Sequence, residues 1–286
     1  MDLDRYLRRI GLEERPAPDL ATLARLQALH VAAIPFENLS ALAGEPIGLD
    51  LASLEAKLLA PGRGGWCFEH NLLFAHALEA IGFAVRRLAA RVRWNVPDHV
   101  TTPRSHMLLL VSLPGGDHIA DVGFGGLTLT APLRLAADLE QSTPHEPHRL
   151  RTQGQGRDRP GPGPGQAPVY GLEAKIAGEW RELYRFDLAE QLQPDYEVSN
   201  WYLLTNPGSQ FLSNLIAARA EPGARHALRN ARYSIHRPDG TTERRLLEDL
   251  AELKRVLAES FHIRVPAGAG LDARLERCMR QEAKVP

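Results

Sequence analysis

A cysteine, a histidine and an aspartate are the residues of this chain whose types and surroundings best fit chemistry. Cys67 follows the glycine-rich turn Arg63-Gly64-Gly65-Trp66 and opens the apolar pattern of a helix. Because a helix N-terminus presents unpaired N–H groups and the positive end of a dipole, it favours thiolate, the nucleophilic form of cysteine. A cysteine at a helix start is more often a small buried apolar residue. Here the paired glycines leave room for a substrate, and Glu69 and Asn71 add polar groups, which favours a catalytic nucleophile.

His106 and Asp121 could supply the base and the group that orients it. His106 opens the apolar strand pattern of residues 107–111, and Asp121 lies within the apolar run 119–122. A strand-edge histidine bonded to backbone would give the same pattern, but a carboxylate in an apolar strand needs solvent or a buried partner, which His106 could be. Asp121 would then fix the His106 tautomer, and His106 would take the thiol proton of Cys67 before the sulfur attacks an acyl carbon. Backbone N–H groups around the turn are candidate oxyanion donors.

Five segments, in order along the chain, resemble the arylamine N-acetyltransferase family. Three carry the candidate triad, and two of these match that family's motifs closely: Arg63-Gly64-Gly65-Trp66-Cys67-Phe68-Glu69 and Asp121-Val122-Gly123-Phe124-Gly125. The others are residues 1–12 and residues 34–40 (Ile-Pro-Phe-Glu-Asn-Leu-Ser), with a weaker match near 198–215. The resemblance implies acetyl transfer from acetyl-coenzyme A to arylamines, arylhydrazines and sometimes N-hydroxyarylamines. The implied route is ping-pong through an acetylated cysteine, in an enzyme of xenobiotic metabolism.

The resemblance also implies contacts for both substrates. The residues it implies for coenzyme A are Phe124, Gly125, Gly126, Ser105 and Trp94. Those it implies for an aromatic acceptor pocket are Phe36, Phe124 and Phe211. Taken by itself, the glycine-rich stretch 123–126 would fit a flexible turn between strands equally well, and each phenylalanine would fit ordinary core packing.

Departures from the family pattern bear on the acceptor more than on the acyl transfer. Leu72 stands where members commonly carry glycine, and residues 199–211 lack the Ser-Thr pair often found before the proline. A Gly/Pro-rich insertion at 154–168 is also unusual. The acceptor, and a donor longer than acetyl, therefore stay open. Rival functions with the same triad are an amide synthase closing a macrolactam from a carrier-bound polyketide and a cysteine hydrolase, and a non-catalytic coenzyme A-binding protein is a third.

Composition narrows the class of protein. The 286 residues, 44% of them hydrophobic, fit one compact protein with two or three subdomains. With 34 Lys and Arg against 35 Asp and Glu, no broad charge attracts nucleic acid or an anionic membrane. Two cysteines give no disulfide framework, and no signal-like start or apolar run of about 18 residues is present, so we predict a cytoplasmic protein. No metal is expected, because Cys67, His70 and His76 do not share one helix face.

The pattern of apolar residues predicts an α+β fold in three parts that positions the three residues. The pattern gives a helical first part, a stranded middle that forms an antiparallel sheet or barrel, and a mixed last part. The resemblance implies that these are a helical bundle at residues 1–83, a barrel-like sheet at 84–197 holding the 154–168 insertion, and an α/β lid at 198–286. Helices are predicted at 20–32, 51–59 and 67–81, and strands at 85–94, 105–113, 118–122, 169–176 and 179–186. His106 and Asp121 would lie on successive strands of a hairpin. The lid would hold a strand at 227–236 and helices near 246–259 and 271–282, and the resemblance implies a cysteine-protease-like core.

Overall fold

The computed structural model describes residues 1–152 and 167–282, so most of the Gly/Pro-rich insertion at 154–168 lies outside the described residues. The helices are α1 (Leu3–Arg9), α2 (Leu20–Ala33), α3 (Leu39–Ala43), α4 (Leu51–Leu58), α5 (Cys67–Ile81), α6 (Gln193–Thr205), α7 (Gln210–Ser213), α8 (Leu250–Ser260) and α9 (Ala269–Glu282). The strands are β1 (Phe36–Glu37), β2 (Ala84–Val92), β3 (Arg104–Leu113), β4 (Gly116–Ala120), β5 (Leu133–Arg134), β6 (His148–Thr152), β7 (Tyr170–Ile176), β8 (Glu179–Glu190), β9 (Ile216–Glu221), β10 (Ala224–Arg229), β11 (Arg232–His236) and β12 (Thr242–Leu246).

The N-terminal helices begin where the sequence supplies acceptors for their free N–H groups. The side chains of Asp2, Asp19 and Asp50 each accept a hydrogen bond from the backbone three residues on, at the starts of α1, α2 and α4. Helix α5 is central, since eleven of its fifteen residues are buried. The three predicted helices of this part are confirmed. No helix within the described residues is both long and apolar enough to cross a lipid bilayer.

The middle part is a seven-stranded antiparallel sheet with the order β5-β4-β3-β2-β8-β7-β6. Its two edges approach each other through the chain between β5 and β6, where the Asp138 N–H donates to Leu150 O (2.7 Å) and Gln141 pairs with His148. The sheet is therefore nearly closed, and the predicted barrel-like architecture is confirmed. Leu108 and Leu110 of β3 pack inside this sheet, whereas Met107, Leu109 and Val111 pack with the N-terminal helices.

The prediction that Asp121 lies on a strand is wrong by one residue. The β3–β4 ladder closes around the hairpin turn at Leu113↔Gly116 and ends at Leu109↔Ala120. Asp121 is the first residue to leave it. The carboxylate is thus carried at the start of a loop, where its oxygens can accept backbone and side-chain hydrogen bonds instead of facing a neighbouring strand.

The C-terminal part contains a five-stranded sheet, β1-β9-β10-β11-β12, with α8 and α9 packed on it. Strand β1 comes from the N-terminal part and pairs with β9 (Phe36↔Ala218 and Glu37↔Ala217). The predicted single strand at 227–236 is wrong, because the chain turns at Asn230, whose φ of 54° begins a two-residue hairpin between β10 and β11. Likewise Leu246 ends β12, and the following helix starts at Leu250 after the cap Asp249. Helix α6 spans the predicted boundary at residue 197, and the division into three domains stays a prediction.

Candidate active site

The nucleophile turn is held from both sides. The Trp66 N–H donates to Glu69 Oε2 (3.0 Å), which caps α5, and Lys57 Nζ binds the other oxygen of Glu69 (2.7 Å). A Cβ at Gly64 would collide with the carbonyl oxygen of Pro35. The sequence therefore needs glycine here for close backbone approach, and the turn delivers Cys67 to the first position of the helix.

The segment containing residues 35–37 forms the other wall of this turn. The Glu37 N–H donates to Gly65 O (2.8 Å), and the Gly65 N–H donates to Pro35 O (3.3 Å). The buried carboxylate of Glu37 also pairs with Arg63 Nη2 (3.0 Å). A buried carboxylate held by a guanidinium and by backbone fixes the turn more firmly than its sequence alone indicates.

The structure brings Cys67, His106 and Asp121 together, as predicted. His106 Nε2–H donates to Asp121 Oδ2 (2.7 Å), and both side chains are buried. Because Nε2 is engaged by the carboxylate, Nδ1 is the ring nitrogen left to exchange a proton with the sulfur of Cys67. The Cys67 thiol donates to Ser105 O (3.7 Å), and no thiol–imidazole hydrogen bond of normal geometry is present among the described residues. Such a bond commonly tightens only when substrate binds.

Charges at the site favour imidazolium and carboxylate. Burial lowers the pKa of His106, but the charge and hydrogen bond of Asp121, helped by Cys67, outweigh burial and raise this pKa to about 10. Burial raises the pKa of Asp121, but the charge of His106 and hydrogen bonds from His106, Asn71 and the Gly123 N–H outweigh burial and lower it. His106 and Asp121 can therefore both stay charged at neutral pH as a buried pair.

Asn71 joins the three elements that carry the triad. Its Nδ2 donates to Met107 O on β3 (2.8 Å) and to Asp121 Oδ1 (3.0 Å), while its Oδ1 accepts from the Val122 N–H (3.1 Å). The sequence analysis treated Asn71 only as a polar neighbour of Cys67. The available signal was its spacing, because an asparagine four residues after the nucleophile lies on the same helix face.

Gly123 allows the aspartate loop to approach the nucleophile helix closely. A Cβ at this position would lie 2.8 Å from Cys67 Cα and 2.8 Å from Asn71 Nδ2. We expect Gly123→Ala to push the loop away from the helix, lowering activity at least about tenfold and the free energy of unfolding by about 1–3 kcal/mol. Activity assays and urea unfolding test this, with Gly115→Ala in the β3–β4 turn, where a Cβ meets open space, as the matched control. Equal activity of the two variants would contradict it.

Aromatic rings enclose His106. The ring centroid of Phe124 lies 5.1 Å from that of His106, and the centroid of Tyr184 lies 4.9 Å from it. The buried Tyr184 hydroxyl has no hydrogen bond of normal geometry within the described residues. Burial and the nearby charge of Asp121 both raise the pKa of this hydroxyl. These rings keep water from the imidazole, and sequence reasoning did not single out Tyr184.

The residues implied for the two substrates lie in different surroundings. Gly125, with a φ of 79°, lies against the ring of Phe36, where a Cβ would be 3.7 Å from it. Phe211 packs edge-on against Trp66 (5.4 Å between centroids) and lies 6.3 Å from Phe36. The Ser105 carbonyl faces the sulfur of Cys67, and Gly126 faces Ala227 of β10. Trp94 lies under the guanidinium of Arg181 and makes no ring contact with the triad among the described residues.

A second buried network, which sequence reasoning missed, runs beneath the nucleophile turn. Pro35 O can only accept, so His70 Nε2–H donates to it (3.1 Å). His70 Nδ1 then accepts from His30 Nε2–H (3.0 Å), and His30 Nδ1 accepts from the Tyr6 hydroxyl (3.0 Å). These bonds define the tautomer of each of the two neutral histidines. The chain of hydrogen bonds ties α1 and α2 to the first turn of α5.

This network makes stability depend on pH. Burial lowers the pKa of His70 to about 4, against 6.5 ordinarily. Between pH 4 and pH 6.5 the imidazole of His70 is therefore protonated in the unfolded chain but not in the folded chain. Its contribution to the free energy of unfolding is fully present above about pH 6.5 and falls as the pH drops toward 4. The amide of His70→Gln can both donate and accept but does not titrate. Between about pH 7.5 and pH 5 we expect the free energy of unfolding of this variant to fall by about 2 kcal/mol less than that of the wild type. Urea unfolding at both pH values measures this, the exposed His99→Gln serves as control, and equal losses would contradict it.

Within the described residues, no group of three or more His, Cys, Asp or Glu side chains could hold a metal ion. Cys67, His106 and Asp121 have the residue types that a candidate nucleophile, base and orienting carboxylate require, and the last two are hydrogen-bonded to each other.

Known proteins with similar sequences and structures are arylamine N-acetyltransferases. The model of the N-acetyltransferase family matches residues 19–269. The chain is 41% identical to an arylamine N-acetyltransferase of Mycolicibacterium smegmatis over 276 residues, 95% of each chain. A Salmonella typhimurium arylamine N-acetyltransferase / N-hydroxyarylamine O-acetyltransferase is 38% identical over 92% of this chain and 89% of its own. The structure of Mycobacterium marinum arylamine N-acetyltransferase in complex with CoA matches with a TM-score of 0.88 and 38% identity, over 97% of this chain and 99% of that one.

Proposed function

Because this chain belongs to the arylamine N-acetyltransferase family, we propose that it transfers an acetyl group from acetyl-coenzyme A to the nitrogen of an arylamine or arylhydrazine. The transfer proceeds in two steps through an acetylated Cys67. The observation that carries this proposal is the buried contact between His106 Nε2 and Asp121 Oδ2, with His106 Nδ1 left for the thiol at the start of α5.

In the first step Cys67 attacks the thioester carbonyl carbon of acetyl-coenzyme A. A new sulfur–carbon bond forms, the bond from that carbon to the coenzyme A sulfur breaks, and the leaving thiolate takes the proton of His106 Nδ1. Because one thioester replaces another, the acetyl group stays reactive. The N–H at the first position of α5 has no acceptor within the helix, so it is a candidate donor to the developing oxyanion.

In the second step the amine nitrogen attacks the acetyl carbon. The carbon–nitrogen bond forms as the bond to the Cys67 sulfur breaks, and the amine proton passes to His106 Nδ1. This restores the thiolate–imidazolium pair. Asp121 keeps its hydrogen bond to Nε2 throughout, so the ring presents the same nitrogen to donor and acceptor alike.

We also propose positions for both substrates. The proposed coenzyme A contacts are Phe124, Gly125, Gly126, Ser105 and Trp94, and the proposed acceptor pocket is formed by Phe36, Phe124 and Phe211. For the pocket the support is geometric, since Phe36 contacts Gly125 on one side and faces Phe211 on the other. The Mycobacterium marinum relative in complex with CoA supports coenzyme A as the carrier of the donor group. The cytoplasmic location and a role in xenobiotic metabolism stay predictions.

Initial rates measured over a grid of acetyl-coenzyme A and 4-methoxyaniline concentrations test this function. Parallel double-reciprocal lines are expected, because free coenzyme A leaves before the amine reacts. Intersecting lines would contradict the two-step route. Coenzyme A release that continues unchanged without amine would point to a hydrolase, and no release with any amine would favour the carrier-fed amide synthase.

A further inference from the structure

Asn38 connects the nucleophile turn to the short helix that carries Phe211. The Asn38 side chain is 1% exposed. Its Nδ2 donates to Phe211 O (2.8 Å) and to Asn214 O (2.7 Å), and its Oδ1 accepts from the Ile216 N–H (2.8 Å). Both amide protons and the oxygen are used, so the amide has a single orientation.

These bonds replace what α7 cannot supply for itself. The helix has four residues, Gln210–Ser213, so most of its carbonyl groups lack intrahelical partners. Asn38 satisfies a carbonyl inside the helix and another at its C-cap, and also the first N–H of β9. A one-turn helix is not stable alone, so its position depends on bonds from other segments, of which Asn38 supplies two and the Cys278 thiol supplies one, to Ser213 O (3.5 Å).

Phe211 projects from that helix onto the nucleophile turn. Its ring packs edge-on against Trp66, the residue before Cys67, with 5.4 Å between centroids. It also lies 6.3 Å from the ring of Phe36. Moving α7 therefore changes the distance between this aromatic wall and the nucleophile.

The residues just before Asn38 hold the turn itself. Phe36 forms a bridge with Gly65, and the Glu37 N–H donates to Gly65 O (2.8 Å). Phe36 and Glu37 thus contact the nucleophile turn through their backbone, and the next residue, Asn38, contacts α7 through its side chain. The segment sets the spacing between Cys67 and the Phe211 wall.

We infer that Asn38 is a positioning residue that determines acceptor specificity by fixing the Phe211 wall of the pocket. This inference rests on the proposed function. It assigns Asn38 to the second step alone, because none of its bonds reaches the triad or the loop that contains Phe124. Its loss frees the wall to move outward, which favours bulky fused-ring acceptors over single-ring acceptors.

The test separates the two steps. Single-turnover acetylation of Cys67 by acetyl-coenzyme A, without amine, is expected to change less than about twofold in Asn38→Ala. Deacetylation of acetyl-Cys67 is then timed with 2-aminofluorene and with 4-methoxyaniline. The rate with 2-aminofluorene divided by the rate with 4-methoxyaniline is expected to rise about tenfold, the size of effect that pocket shape gives. Equal loss in both steps, or an unchanged ratio, would overturn the inference.

Further variants separate this role from a general loss of stability and test whether Asn38 acts through Phe211. Asn200→Ala removes another buried asparagine, which donates to Ile47 O (3.0 Å), and its acceptor ratio is expected to match wild type. Phe211→Ala is expected to raise the ratio, and the double variant Asn38→Ala/Phe211→Ala to raise it no further. Additive effects of the two substitutions on the acceptor ratio would mean that Asn38 does not act through Phe211. If Asn38→Ala does not fold, Asn38→Ser, which keeps one donor, undergoes the same measurements.

A measurement that needs no acetyl transfer keeps the two proposals distinguishable. In a Cys278→Ala background, only Cys67 remains to be alkylated, and its rates with N-phenylmaleimide and iodoacetamide report access for a bulky and a small reagent. Asn38→Ala is expected to raise this ratio several-fold. An unchanged ratio would overturn the inference. Failure of the wild type to accept acetyl from acetyl-coenzyme A would refute the proposed function while leaving this access measurement valid.

Discussion

Cys67→Ala is expected to gain no acetyl group from acetyl-coenzyme A, whereas the wild type gains the mass of one acetyl within the first turnovers. The sulfur of Cys67 is the only nucleophile that the turn presents beside His106, so its removal leaves nothing to hold the acetyl group. Turnover should fall at least about 10⁴-fold. Intact-protein mass spectrometry after brief mixing measures the adduct, and adding 4-methoxyaniline should remove it from the wild type.

The second cysteine provides the matched control for this experiment. Cys278 is buried beneath the C-terminal sheet, where its thiol donates to Ser213 O (3.5 Å) and burial raises its pKa. Cys278→Ala should therefore acetylate like the wild type. An acetyl adduct on Cys67→Ala, or its loss in Cys278→Ala, would show that the nucleophile has been assigned to the wrong residue.

Local signals in the sequence were sufficient to predict the elements that carry the candidate triad. The paired glycines and the apolar spacing after Cys67 predict a turn followed by a helix, and helix α5 covers the predicted residues 67–81. The hairpin that brings His106 to Asp121 also follows from nearby turn residues. These features depend on contacts within about fifteen residues, where pattern and turn chemistry carry information. The family resemblance and the α+β fold are likewise confirmed.

The supporting contacts could not be predicted, because they join distant segments by packing. Asn38 binds carbonyl groups 173 and 176 residues away, and His70 binds a carbonyl 35 residues before it. A buried asparagine or histidine looks in sequence like any polar residue in an apolar run, and only the fold shows which group satisfies it. The hairpin at Asn230 was missed for a different, local reason: Asn-Ala is a weaker turn signal than Asn-Gly.

Asp121→Asn is expected to lower the rate of Cys67 acetylation about 10³- to 10⁴-fold while the protein stays folded. The reason is the tautomer of His106. In the wild type, Oδ1 of Asp121 accepts from Asn71 Nδ2 (3.0 Å) and from the Gly123 N–H (2.8 Å), and Oδ2 accepts from His106 Nε2–H (2.7 Å). An asparagine would keep its oxygen on the first two donors and turn its NH₂ toward His106 Nε2. The imidazole proton would then move to Nδ1, which could no longer accept the thiol proton.

The same substitution removes the charge that holds His106 protonated. With Asp121 present the pKa of His106 is about 10, so the imidazolium persists through neutral pH. Without the carboxylate, burial dominates and favours neutral imidazole at neutral pH, so the sulfur of Cys67 loses its charged partner and the acetylation rate should fall. Asp117→Asn is the control on the same hairpin, since its half-buried carboxylate accepts from the hydroxyl of Ser112 (2.7 Å). If both variants acetylated at comparable rates, Asp121 would be a structural carboxylate rather than the residue that orients His106.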